Sequence, residues 1–415
     1  MKRLTIYGIL TASIVICASV YAGVVYYQGG FSWKHTDDDV LVLDDAMNTF
    51  AFELYQKIRA TTDENLFFSP YSIYIALGMT FEGANGTTAE EMTKVLGYSP
   101  RNETMLSVLG YLWDEYNTNE AFNLSTANAL WLRQGFALLD SYLATIATYY
   151  KGNVTEIDVS KPVETAAMIN SWVENQTNGK IKDLISPAFI NSNTALILTN
   201  AIYFKGMWEH PFDTNMTQTK GFEVAPGEYV NVPMMQIEYS EHLFNYTETE
   251  TMQVLELPYK GDKLSMLVLL PKEHDLSTVE QIMDVHKLKE LKNSLEPKEI
   301  DIYLPQFKFE TDYDLNDMLI AMGMPTAFTP SADFSGIDGI GSLFIYKVLH
   351  KAFIEVNEEG TEAAAATAVI MMETALPGGS EQRLMFNANH PFLFIIQHKE
   401  TGNILFMGNV MNPLE

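Results

Sequence analysis

The sequence predicts a single α+β domain over residues 44–415. Three observations carry the prediction: apolar residues recur at helical spacing through much of the first third, they alternate with a period of two through most of the rest, and no linker or internal repeat separates the two regions. With 415 residues and 47% hydrophobic content, the chain can bury a large core.

Residues 28–43, with Gly29-Gly30 and Asp37-Asp38-Asp39, read as a spacer. A helix is predicted next, N-capped by Asp44 or Asp45, with Met47, Phe50, Ala51, Leu54, Tyr55 and Ile58 on one face. Asn65-Leu66-Phe67-Phe68 reads as a short strand. Ser69-Pro70 is a strong helix start, because the serine side chain satisfies an orphan N–H and proline at the first position lacks an N–H that would have no partner. The helix over residues 71–81 is apolar on nearly every side, which predicts burial. Thr87-Thr88-Ala89-Glu90-Glu91 offers two overlapping capping boxes before a helix ending at Gly97. Residues 165–177 carry another helix with Ile169, Trp172 and Val173. After Pro187, strands are predicted at 195–204, 255–257, 263–270, 300–304, 347–357 and 384–386, and a hairpin pairs 392–397 with 404–409 around Glu400-Thr401-Gly402-Asn403.

A formal charge of -27 argues against nucleic-acid binding, which needs clustered Lys and Arg. Lys2-Arg3 precedes an apolar run over residues 4–27 that fits either a cleaved signal peptide (residues 1–27) or a membrane anchor. Both readings export the remainder, as a protein secreted or held on the outer face of the cell membrane by a tether through 4–27. The one cysteine, Cys17, lies in that run, so the body has no disulfide. Sequons at Asn85, Asn102, Asn123, Asn153, Asn175, Asn215 and Asn245 make it a glycoprotein if the host glycosylates asparagine.

No enzyme constellation emerges. The eight histidines show no metal spacing, so no metal or cofactor is expected. Asp333-Phe334-Ser335-Gly336 lacks the leading glycine of a nucleophile elbow, and Ser335 reads as a turn serine. A hydrolase working through paired carboxylates stays open only because acids are abundant.

The segment from Glu358 to Ile370 contradicts the strand it extends. Residues 347–357 alternate, with Val348, His350, Ala352, Ile354 and Val356 on one face, and then Ala363-Ala364-Ala365-Ala366 favours helix. Such a run is ordinarily a helix or a linker. Yet from Gly360 to Ala368 every side chain except Glu362 is threonine-sized or smaller, so the segment would fit between two strands.

Four motifs in order then resemble the serpin family over residues 44–415. They are Asn65-Leu66-Phe67-Phe68-Ser69-Pro70-Tyr71-Ser72-Ile73, Leu198-Thr199-Asn200-Ala201-Ile202-Tyr203-Phe204-Lys205-Gly206 with Trp208, His350-Lys351-Ala352 leading to Glu358-Glu359-Gly360-Thr361-Glu362-Ala363-Ala364, and Phe406-Met407-Gly408-Asn409-Val410 with Asn412-Pro413. The resemblance implies three β-sheets, eight or nine helices and an exposed reactive loop over residues 358–383. It implies an inhibitor rather than an enzyme: a monomeric suicide substrate that traps a serine protease as an acyl-enzyme when the cleaved loop enters the central sheet. The hinge would comprise Glu358, Gly360, Thr361, Glu362, Ala363, Ala364, Ala365, Ala366 and Thr367, with Thr361, Ala363, Ala365, Thr367 and Val369 turned inward. Ser69, Ser72, Asn200 and His350 would form a polar cluster where strands part, and Trp208 would mark where insertion begins. Read alone, His350 is a satisfied core histidine and Trp208 a core aromatic. Counting sixteen residues from Glu358, as the family does, sets the scissile bond at Thr374-Ala375 and an elastase-like or subtilisin-like target. A loop one residue shorter gives Glu373-Thr374 and a Glu-specific one. The alternative within the family is a non-inhibitory carrier, chaperone or structural protein.

Overall fold

The computed structural model describes residues 33–118, 121–361 and 383–415. The leader, Glu362, Ala363, Ala364, Ala365, Ala366, Thr367, Glu373, Thr374 and Ala375 lie outside the described residues.

Three sheets are present, as the resemblance implies. The central six-stranded sheet runs β12 (Phe307–Asp314), β13 (Ile345–Asn357), β14 (Gly360–Thr361), β4 (Leu196–Met207), β2 (Phe122–Arg133), β3 (Asn153–Ile157). A seven-stranded sheet runs β1 (Leu66–Phe68), β17 (Ile404–Val410), β16 (Phe392–His398), β9 (Leu264–Pro271), β8 (Met252–Pro258), β7 (Phe244–Glu248), β10 (Glu296–Lys298). The third has four strands: β15 (Leu384–Asn387), β11 (Ile300–Pro305), β6 (Glu228–Ile237), β5 (Gln218–Ala225). The helices are α1 (Asp37–Arg59), α2 (Pro70–Phe81), α3 (Gly86–Leu96), α4 (Glu103–Asn117), α5 (Asp140–Thr145), α6 (Pro162–Gln176), α8 (Val285–Asn293), α9 (Asn316–Met322), and the single turns α7 (Ser277–Glu280) and α10 (Ser335–Asp338).

Local chemistry explains the elements that position the site. Ser69 caps α2 by accepting from the Ser72 N–H, Pro70 sits in its first turn, and every residue from Pro70 to Phe81 is buried. The strand β13 alternates as expected, and Val348, His350, Ala352, Ile354 and Val356 are all buried. Its other face lies under α6, where Leu349 joins Trp131, Ile169, Val173 and Ile181 in a second, smaller core.

Two helix starts differ from expectation. The first helix begins at Asp37, not at Asp44 or Asp45: Thr36 is the N-cap, and a reciprocal capping box with Asp39 and three acids in the first turn favour the earlier start. Asp44 lies inside the helix, buried. The helix α3 starts from Asn85, so Thr87 and Thr88 fall within it, and Thr88 instead accepts from the Asp333 N–H at 2.9 Å. Its end at Gly97, left-handed at φ 74°, is as expected.

Among the described residues no helix is long and apolar enough to cross a membrane. Among the same residues, no group of three His, Cys, Asp or Glu side chains is placed to hold a metal.

Candidate functional site

The site lies along the seam between β13 and β4. From Ile345↔Leu196 to Ala352↔Ile202 these strands pair directly and in parallel. Beyond that, the chain turns at Glu358-Glu359 and comes back as β14, which is antiparallel to both neighbours: Thr361 pairs with Val356 and with Gly206. The sheet is therefore wedged open at one end and closed at the other.

Gly360 makes the wedge possible. Its φ is +155°, and a Cβ there would stand 2.1 Å from the Gly206 carbonyl oxygen. Thr361 is buried, and its hydroxyl meets that of Tyr259 at 2.6 Å. Burial raises the Tyr259 phenol's pKa, so it stays protonated. The Trp208 ring stacks on Tyr259 at 4.6 Å and 14°, while its Nε1 donates to the Asn357 carbonyl at 3.0 Å. The Trp208 and Phe212 N–H groups donate to the carbonyls of Glu359 and Glu358, each at 2.9 Å. The Glu358 carboxylate accepts from Thr217 Oγ1 at 2.6 Å and Gln306 Nε2 at 2.7 Å. Every polar group of the turn named here is thus held from outside it, most of them from the connector between β4 and β5.

A second constellation lies lower on the seam. His350 and Asn200 face each other in the ladder, and His350 Nδ1 donates to Asn200 Oδ1 at 2.5 Å while Nε2 accepts from the Ser69 N–H at 3.2 Å. One ring nitrogen donates and the other accepts, so this is a neutral imidazole. Burial pushes its pKa down to about 3. Asn200 Nδ2 donates to Ser72 Oγ at 2.5 Å and to Asn128 Oδ1, and Ser72 Oγ also donates to Asn128 at 3.2 Å. The cluster ties β13, β4, β2 and the start of α2 together.

The structure thus brings Ser69, Ser72, Asn200 and His350 into one network and sets Trp208 apart from it, against the hinge turn. Sequence reasoning missed four contributors. Asn128 sits mid-strand like Asn200, but β2 also carries Asn123, Ser125 and Thr126, so its amide does not stand out. Tyr259, Thr217 and Gln306 arrive from distant segments and carry no local signal. Ser335 opens α10 and accepts from Asn85 Nδ2 at 2.9 Å, a structural contact. Arg383 is engaged by Asp301 at 3.2 Å and Glu299 at 3.6 Å.

Comparison with known proteins agrees with this architecture. The family model described as Serpin (serine protease inhibitor) matches residues 45–413. An uncharacterized serpin-like protein of Methanosarcina mazei is 42% identical over 375 residues, covering 89% of this chain and 87% of the relative. Serpin48 of the insect Tenebrio molitor, described as a highly specific serpin, superposes with a TM-score of 0.82 at 31% identity, covering 91% of this chain and 100% of its own. Human thyroxine-binding globulin in complex with its ligand gives a TM-score of 0.81 at 31% identity, with the same coverage. With three sheets, a wedged central seam and a matched model across nearly all of the described fold, the chain belongs to the serpin family.

Proposed function

We propose that this protein is a suicide-substrate inhibitor of serine proteases, not an enzyme, and that it acts outside the cytoplasm after export by residues 1–27. The observation that carries the reading is β14: just past the Glu358-Glu359 turn, Gly360 and Thr361 already sit as a strand antiparallel to both β13 and β4. Continued in that register, Ala363 would come opposite Phe204 and Thr367 opposite Asn200, so a hydroxyl would meet the polar cluster once His350 and Asn200 part. The small side chains from Gly360 to Ala368 suit such a path. In this reading the target protease's serine attacks the Thr374 carbonyl, the Thr374-Ala375 bond breaks with Ala375 leaving as a new amino terminus, and the protease is held as an ester on Thr374. The new strand then enters the seam, and the tethered protease is distorted before water completes hydrolysis. The gain comes from converting a metastable sheet into a complete one.

The full chain mixed with subtilisin, pancreatic elastase and a Glu-specific protease tests it on denaturing gels with mass spectrometry. A covalent complex is expected, and the released peptide's new amino terminus distinguishes Thr374-Ala375 from Glu373-Thr374. Cleavage without complex and without gain in heat resistance would sink the reading. A carrier role is the second reading, favoured by the likeness to thyroxine-binding globulin.

A further inference from the structure

The segment that grips the hinge turn carries a feature that gripping does not require. His210 lies between Trp208 and Phe212, whose N–H groups hold the Glu359 and Glu358 carbonyls. Its ring stacks on that of His242 with centroids 4.0 Å apart and planes 16° apart, and it meets Phe244 edge-on at 5.6 Å. His242 is an exposed residue of the connector between β6 and β7, while His210 is half-buried. The contact joins that connector to the hinge grip through two imidazoles.

We propose that the His210–His242 stack is an acid-released catch: as neutral rings the pair fastens the hinge grip to the β6–β7 connector, and as two cations it pushes them apart and loosens Glu358 and Glu359. The proposal takes its consequence for trapping from the inhibitor reading, though the catch itself does not depend on it. Stacked neutral imidazoles attract, whereas two imidazolium rings at this separation repel, more strongly where one is partly withdrawn from water.

The surrounding charges decide the direction. From its own segment, Glu209 draws a proton toward His210, whereas burial and His242 push the His210 pKa below its ordinary value. The connector also carries Glu241 and Glu238, the latter taken by the Tyr303 hydroxyl at 2.5 Å. Behind Phe244 its strand partner Lys298 is paired with Glu296 at 2.6 Å. On the hinge side, Glu358 is occupied by Thr217 and Gln306. Because the folded state lowers the pKa of His210, the contact is intact above the ordinary imidazole range and weakens as pH falls through the lowered value.

Amide hydrogen exchange of the uncleaved full chain at pH 7.5 and pH 5.5, corrected for intrinsic rates, tests the catch. The Trp208 and Phe212 amides should exchange about tenfold faster in acid. His242→Ala and His242→Gln should both abolish that acceleration; His242 is exposed, so neither removes core contacts. Equal corrected rates in the native chain would overturn the proposal. So would acceleration that persists in the variants, since the imidazole stack would then not be its cause. A parallel mixture with subtilisin at both pH values should show an acid shift in trapping stoichiometry that His242→Gln removes. Acid-dependent exchange with no complex at either pH would defeat the inhibitor reading and leave the catch standing.

Discussion

Tyr259 and Thr361 join their hydroxyls at 2.6 Å, one at the head of a connector and the other at the last described residue of the hinge. Both are buried, so the bond forms only when the hinge is seated. Tyr259→Phe keeps the ring against Trp208 and deletes the bond. It should weaken seating by about 1 kcal/mol. Faster exchange of the Thr361 amide is the expected outcome, and an unchanged rate would show that the hydroxyl pair does not hold the hinge.

Thr361→Arg asks more of the same position. At 2% exposure, an unpaired guanidinium could enter only at a cost of several kcal/mol. On the proposed inhibitor reading, subtilisin should then cleave the variant without forming a complex. Trapping stoichiometry equal to that of the native chain is the contrary result.

His350 predicts loss of stability in acid. Its folded pKa of about 3 lies below the ordinary 6.5. The unfolded chain therefore takes up a proton first, and stability that is complete above about pH 6.5 drains away as pH falls toward 3. Between about pH 7 and pH 4 the loss is on the order of 3 kcal/mol. Denaturant midpoints at the two pH values should differ less for His350→Gln than for the native chain.

Asp44 predicts the opposite slope. Burial raises its pKa from 3.8 to about 6, against hydrogen bonds from Thr401 and Asn403. The neutral acid is the form the fold prefers, so stability is complete below about pH 3.8 and falls as pH rises through 6, by on the order of 3 kcal/mol. Asp44→Asn keeps an oxygen for Asn403 Nδ2 and removes the charge. Its midpoint should exceed that of the native chain at pH 7.5 and approach it near pH 4.

How much of this was legible depended on whether a residue's partners were near in sequence. Ser69-Pro70 announced α2, and the period-two pattern announced β13, because cap and alternation are local. The start of α1 was misjudged because Asp44 and Asp45 look like caps until Thr36 is seen bonding Asp39. Asn85 displaced the two threonines of α3 for a similar reason. In the site, the polar cluster came from motifs, but its second amide, Asn128, sits in a strand that the sequence pattern did not mark. Tyr259, Thr217 and Gln306 are brought to the hinge by chain reversals that no short window contains.

Trp33 gives the start of α1 a further meaning. Its indole rests where a Cβ on Gly110 would stand 2.2 Å from the ring, and its Nε1 donates to Asp114 Oδ2 at 2.8 Å. Lys34 N–H reaches Ser107 Oγ at 2.5 Å, and His35 lies 4.6 Å from the Tyr111 ring. Residues ahead of the matched family region thus wrap along one side of α4, and glycine in mid-helix, costly by about 1 kcal/mol in isolation, becomes the notch that receives them. A chain trimmed to begin at Asp44 would lose that wrapping together with the first two turns of α1, leaving an empty apolar slot on α4. Where the protein is cut for study will therefore decide whether its measured lifetime is its own.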